Sequence, residues 1–195
     1  MIFFKKLLFI GLSTSLLLAA PSSKKDAQLK SIIKMGERGS SLLIKTLSSK
    51  MKKSMQKGGV SNAFEFCSNQ AYALTQKVNT KLPIGVSVKR ISQRYRSPAN
   101  APQKNELHIL QMLQIMKELN IILPKYLIEQ VDTYKYKYYK PIIIDKKVCL
   151  KCHGNIINTD IKQAIAKRYP LDNAIKYKMR DIRGAIVVTI DKSVK

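Results

Sequence analysis

The sequence predicts an α+β fold, with a small antiparallel sheet and a pair of long N-terminal helices. Three observations predict it. Polar stretches with apolar residues at helical spacing fill the first part of the chain, and short alternating or β-branched runs come later. Helices and strands do not alternate regularly, which argues against a doubly wound parallel sheet. The chain has 195 residues and is 45% hydrophobic. That is one domain's worth, and it is not the composition of a disordered chain.

The elements follow in order. Met1–Phe4 lead into Lys5 and Lys6, and an apolar run from Leu7 to Ala20 is broken only by Gly11 and the Ser13–Ser15 stretch. This is a secretory signal pattern, read as residues 1–22, with cleavage near Ala20 or Ser22. The run falls short of the roughly 20 apolar residues that span a bilayer. The expectation is a periplasmic domain of residues 23–195, with an uncleaved N-terminal anchor as the alternative. Residues 26–56 form a helix through Leu29, Ile32, Ile33, Leu43, Ile44 and Leu47, which Gly58-Gly59 stops. A second helix, Ser61 to Lys81, aligns Val60, Ala63, Cys67, Ala71, Leu74 and Val78 on one inward stripe, and Pro83 ends it. Gly85–Ile91 alternates as a strand, and Arg94–Pro102 is an irregular loop. Residues 103–120 are apolar around most of the circumference, which predicts a buried helix. Tyr134–Lys140 alternates with period 2, putting Tyr134, Tyr136 and Tyr138 on one face and Lys135 and Lys137 on the other. Pro141–Ile144, a cysteine motif, a polar helix near 158–168 and the β run Gly184–Ile190 complete the chain.

Charge is the strongest compositional bias. The formal net charge is +24, and removal of Lys5 and Lys6 with the signal leaves +22. Export takes nucleic acid off the list of partners despite a pI near 10.1. The surplus cations then suit an acidic redox or signalling partner, or peripheral contact with an anionic membrane.

Cys149-Leu-Lys-Cys-His153 is the one strong chemical signal. The C-x-x-C-H spacing is that of covalent haem c attachment: two thiols add to the porphyrin vinyl groups, and the adjacent imidazole reaches the iron. The rival readings are weaker. A thioredoxin-like redox pair lacks its βαβ surroundings. A zinc site would have to recruit Cys67 and His108. A disulfide across two residues is strained and leaves His153 unexplained. For the second axial position the residues leave Cys67, His108 and the methionines, Met179 foremost, with a plain buried thiol as the bland account of Cys67. Arg94 and Arg96 are candidate partners for haem propionates, and Arg90 and Lys89 weaker ones.

The ordered set Ala63-Phe-Glu-Phe-Cys67 with Ala71, Arg90-Ile-Ser92, Tyr95–Pro102 with Glu106, Tyr139-Lys-Pro141, Cys149–Gly154 and Asp181–Val188 resembles a family of exported single-haem c-type proteins with a PAS-like fold. The resemblance implies that Cys149 and Cys152 hold one haem c and that His153 is an axial ligand. It also implies Cys67 as the other ligand, and redox or small-ligand sensing as the function. The alternative is a periplasmic electron-transfer cytochrome. A catalytic role such as peroxidase lacks a visible acid/base group beyond His108, so no enzyme is expected. The family's usual Gly before the Asp of the final motif is replaced here by Arg180.

Overall fold

The computed structural model describes residues 22–194. The signal reading of residues 1–22 lies, but for Ser22, outside them. The fold is α+β. A four-stranded antiparallel sheet, with order β1-β4-β3-β2, is covered on one face by a long N-terminal helix and on the other by a shorter one. The strands are β1 (Val86–Ile91), β2 (Leu127–Gln130), β3 (Lys135–Ile143) and β4 (Ile182–Asp191). No helix among the described residues is long and apolar enough to cross a membrane.

Helix α1 (Ser22–Asn69) lays Ile32, Gly36, Gly39, Ser40 and Leu43 against the sheet, where Val86, Val88, Tyr136, Tyr138, Ile186, Val188 and Ile190 form the larger core. Gly36 is there because the helix backbone passes directly over Tyr138: a Cβ would collide with the tyrosine ring. The helix breaks where the sequence says it should. Gly58 (φ −159°, ψ 31°) and Gly59 (φ 64°, ψ −148°) leave helical geometry, and the latter is a combination essentially reserved for glycine. The second segment is shorter than expected. It stops at Asn69, and α2 (Ala71–Asn79) starts a new helix after Gln70, so Ser61–Lys81 is two helices.

Three further expectations need correction. Strand β3 is covered on both faces. Tyr136 and Tyr138 pack beneath α1, while Lys137 and Tyr139 are buried on the opposite face, and Tyr134 lies ahead of the strand, 58% exposed. The helix expected to be buried, α3 (Lys104–Glu118), is a surface helix. It buries Glu106, Leu110 and Leu113, Leu110 packing with Ile91, Tyr139, Ala185 and Val187, and Ile115 faces solvent. Finally, β2 is a strand the pattern did not announce. Its hairpin to β3 turns on Asp132, whose Oδ1 accepts the backbone N–H groups of Tyr134 and Lys135 at 2.8 and 2.7 Å.

Arg180 takes φ 72° in the turn that leads into β4, and its N–H donates to Ile144 O at 2.8 Å. A side chain in this left-handed region costs about 1–2 kcal/mol, partly offset by glycine's larger unfolded-state entropy. Arg180→Gly should therefore stabilise the protein by roughly 0.5–1 kcal/mol, seen as a Tm rise of about 2 °C in a thermal melt. A lower Tm would contradict the strain argument.

Candidate functional site

The cysteine motif sits on the shortest elements of the fold. Lys147–Cys149 form one 3-10 turn, and α4 (Leu150–His153) follows. Elements this short do not hold themselves, so neighbours clamp them. Cys152 packs with Phe64 of α1 and with Ile161 and Ile165 of α5 (Thr159–Arg168). Cys149 and Leu150 pack on Ile144, Ala174 and Tyr177. The chain beyond α5 returns beneath the motif: Tyr177 N–H donates to His153 O at 2.8 Å, and Lys176 N–H to Gly154 O at 3.0 Å.

His153 is held in one tautomer. Its Nδ1 lies 2.6 Å from Ala174 O. A carbonyl only accepts, so Nδ1 carries the proton and Nε2 keeps a free lone pair. Burial, reinforced by Arg183 and Arg96, pushes the imidazole pKa well below its usual value and outweighs the opposing pull of the Ala174 bond. A neutral ring with a lone pair on Nε2 is the form that binds a metal.

Cys67, Cys149, Cys152 and His153 all line one cavity of about 870 Å³. That volume lies within the roughly 300–1,000 Å³ of ligand pockets. Cys67 corrects the sequence reading. It does not pack in the apolar stripe with Ala63, Ala71 and Val78 but is open to the cavity, because the helix ends two residues later and the stripe is interrupted. Its thiol is still largely shielded from bulk water. Burial raises its pKa above the usual value, and Arg90, Arg96 and Arg183 pull the other way without prevailing. The thiols of Cys149 and Cys152 are raised as well, both mainly by burial.

The rival chemistries fare poorly against this geometry. All three cysteines are free, and among the described residues no group of three or more His, Cys, Asp or Glu side chains gathers closely enough for a metal ion such as zinc. His108 is exposed on α3 and lines a separate groove, and Met179 is 38% exposed; neither lines the cavity. A haem c fits the donor set: two thiols to tether it, Nε2 of His153 on the iron, and the Cys67 sulfur as the further donor in the same cavity. It would supply a redox-active, ligand-binding iron.

The arginines divide differently from the sequence expectation. The Arg94 guanidinium lies outside the cavity wall. Its Nε donates to Asn173 O at 3.1 Å and its carbon stands 4.3 Å from the Tyr177 ring centroid. Arg96 lines the cavity but is engaged in holding the motif, donating to Cys152 O at 2.7 Å, Asp172 Oδ2 at 2.9 Å and Ala174 O at 3.3 Å. Arg183, unnoticed in the sequence, donates to Ser92 Oγ at 2.7 Å and Arg94 O at 3.1 Å. Asp172, Ala174 and Tyr177 were missed too. Asp172-Asn173 reads only as a turn, and a backbone carbonyl such as that of Ala174 leaves no trace in side-chain chemistry.

Comparison with known proteins agrees with this architecture. The chain superposes on the crystal structure of the cyanobacterial heme-protein Tll0287 with a TM-score of 0.58 at 20% identity, over 91% of this chain and 99% of that one, a likeness of fold. No curated protein matches. The model of the Tll0287-like family matches residues 23–191, nearly the whole described chain, and the protein belongs to that family.

Proposed function

We propose that this is an exported c-type haem protein carrying one haem. In this reading Cys149 and Cys152 form the thioether tethers, and His153 and Cys67 are the axial ligands. The observation that carries the reading is the His153 tautomer. A proton fixed on Nδ1 by Ala174 O leaves Nε2 as a donor in the cavity that the three cysteines share. That the similar cyanobacterial protein is a heme-protein supports it. The fold reads as PAS-like, since the first and last strands are neighbours in an antiparallel sheet flanked by helices.

Six-coordination leaves no open iron position at rest, which suits a redox or small-ligand sensor better than an enzyme. Cys67 would supply an anionic sulfur to the iron, a ligand that favours the ferric state and would be the more readily exchanged for a small molecule on reduction. The alternative, an electron-transfer cytochrome with a methionine ligand, would draw on Met51 or Met55, which line the cavity, since Met179 stands off it.

The test is expression in a periplasm with c-type maturation machinery. Haem should stay with the polypeptide through acid–acetone extraction, at one per chain by pyridine haemochrome. Cys149→Ala with Cys152→Ala should release all of it. Extraction of haem from the wild-type chain would end the covalent reading.

A further inference from the structure

Three arginines line the cavity, and two of them are spoken for. The Arg96 Nη2 atom bonds Asp172, Cys152 O and Ala174 O, and Arg183 bonds Ser92 Oγ and Arg94 O. Arg90 is different. Its Nε is buried and has no hydrogen-bond partner, and no acidic side chain pairs with it among the described residues. Arg96 Nε is also without a partner, but that guanidinium is already neutralised by Asp172, with both side chains almost wholly covered. A buried, unpaired guanidinium is costly, and a fold keeps one only where an anion meets it.

The position of Arg90 says which anion. It occupies the fifth residue of β1, in register with Ile186 of β4, and so shares the sheet face of Val86 and Val88, the face turned to α1. Its charge acts on Cys67 and on His153, the two proposed axial residues. Unlike Arg96, it makes no hydrogen bond to the Cys149–His153 segment through its buried Nε. Arg96 has the opposite bias, donating to the backbone of Cys152 itself. In a haem the two propionates project from the half of the porphyrin opposite the two vinyl positions, which become the thioethers. An arginine at the tether edge is therefore on the wrong side for a propionate, and one removed from it is on the right side. Arg90 Nε makes no hydrogen bond to the Cys67 sulfur, and the planar fork of a guanidinium matches a carboxylate's two oxygens.

We propose that Arg90 is the propionate-binding residue of this protein, pairing with a haem carboxylate at the cavity edge away from Cys149 and Cys152. The inference rests on the haem reading above and reassigns a role for which residue type had favoured Arg94 and Arg96. No bond is made or broken in this step; a carboxylate and a guanidinium exchange water for each other. Arg90 is a positioning residue: it fixes the tilt and burial of the ring, and its positive charge favours the reduced iron.

The experiment compares haem-loaded wild type with Arg90→Met and Arg90→Lys. In Arg90→Met the propionate bending band in resonance Raman should move to that of a solvated carboxylate, and the midpoint potential should fall. Covalent haem per chain and the low-spin ferric EPR signal should stay at wild-type values. Arg90→Lys, which keeps the charge but not the fork, should recover most of the potential and little of the band position. If Arg90→Met does not accumulate, Arg90→Gln gives the same readings. An unmoved propionate band would overturn the proposal. So would loss of the low-spin signal, which would put Arg90 at the Cys67 sulfur instead. Absence of haem from the wild-type chain would show before any variant is made and would remove the site reading itself, so the two failures are distinguishable.

Discussion

Cys67→Ala in the haem-loaded protein is expected to turn a low-spin ferric spectrum into a high-spin one and to raise the midpoint potential. The rise should be on the order of 0.1 V, a part of the roughly 0.8 V that axial ligation commands. Without iron the Cys67 thiol holds its proton, because burial outweighs the pull of Arg90, Arg96 and Arg183. Only a strongly Lewis-acidic neighbour makes the thiolate affordable, and ferric iron is one. Alanine removes that sulfur but leaves the His153 side of the ring intact, since Ala174 O still orients the imidazole. His108 and Met179 lie outside the cavity, whereas Met51 and Met55 line it, so Cys67→Ala is paired with a variant that also carries Met51→Leu and Met55→Leu to exclude a replacement thioether ligand. EPR and the Soret band decide the matter. A low-spin signal unchanged from wild type would mean that Cys67 is a bystander.

The second large effect concerns the fold. Glu106→Ala should cost about 3 kcal/mol, equivalent to a Tm drop of roughly 6–12 °C for a chain this size. Glu106 has no exposed side chain and lies between two cations, Lys89 Nζ at 2.9 Å and Lys137 Nζ at 3.0 Å, while its Oε2 also accepts the Gln103 N–H at 2.8 Å. Removing the carboxylate strands Lys137, whose side chain is only 8% exposed, and uncaps α3 at the same time. Burial alone would raise the Glu106 pKa, but the bonds from Lys89, Gln103 and Lys137 bring it below the ordinary value of 4.5. A carboxylate with a depressed folded pKa contributes stability above its unfolded pKa and loses it as pH falls through the folded value. Wild-type stability should therefore decline below about pH 4.5, and the variant should lack that share of the decline. Asp181, also lowered, mainly through its Lys117 bond against the effect of burial, keeps its own share in both proteins. Parallel stability–pH curves for the two proteins would refute the assignment to Glu106.

Glu106 also shows where reading by pattern stops. It was visible in the sequence as one residue of a recurring set, yet nothing in a helix that is apolar on most sides says that its one buried acid meets Lys137 from a strand 31 positions away. Period-2 alternation correctly made residues 135–139 a strand, but alternation reports polarity, not exposure. A lysine on the far face is read as solvated until its carboxylate is known. The same holds for α3: Ile115 and Leu119 widen its apolar face without being covered by anything among the described residues. The tethers and His153 were legible because covalent chemistry imposes a contiguous spacing. Cys67 lies 82 positions before Cys149, so spacing alone left it among several donors; the cavity sets aside His108 and Met179 but keeps Met51 and Met55 beside Cys67, and the resemblance is what favours the thiol. Arg94 and Arg96 were chosen for residue type, and their neighbours Asn173 and Asp172 claim them. Strand β2 has four residues, too few for a period to show.

The break at Gly58-Gly59 has a mechanical meaning. The segment before it is moored to the sheet through Gly36 over Tyr138 and Gly39 over Val188, contacts with no room for sliding. The segment after it carries Cys67 and ends at Asn69. An added Cβ at Gly59 would meet nothing, while one at Gly58 would collide with the Asn62 side chain, so the joint is open on its Gly59 side. Residues 60–69 are thus a short crank on a fixed post. A bond gained or lost at Cys67 would act first on residues 60–69 and on Phe64's packing against α5.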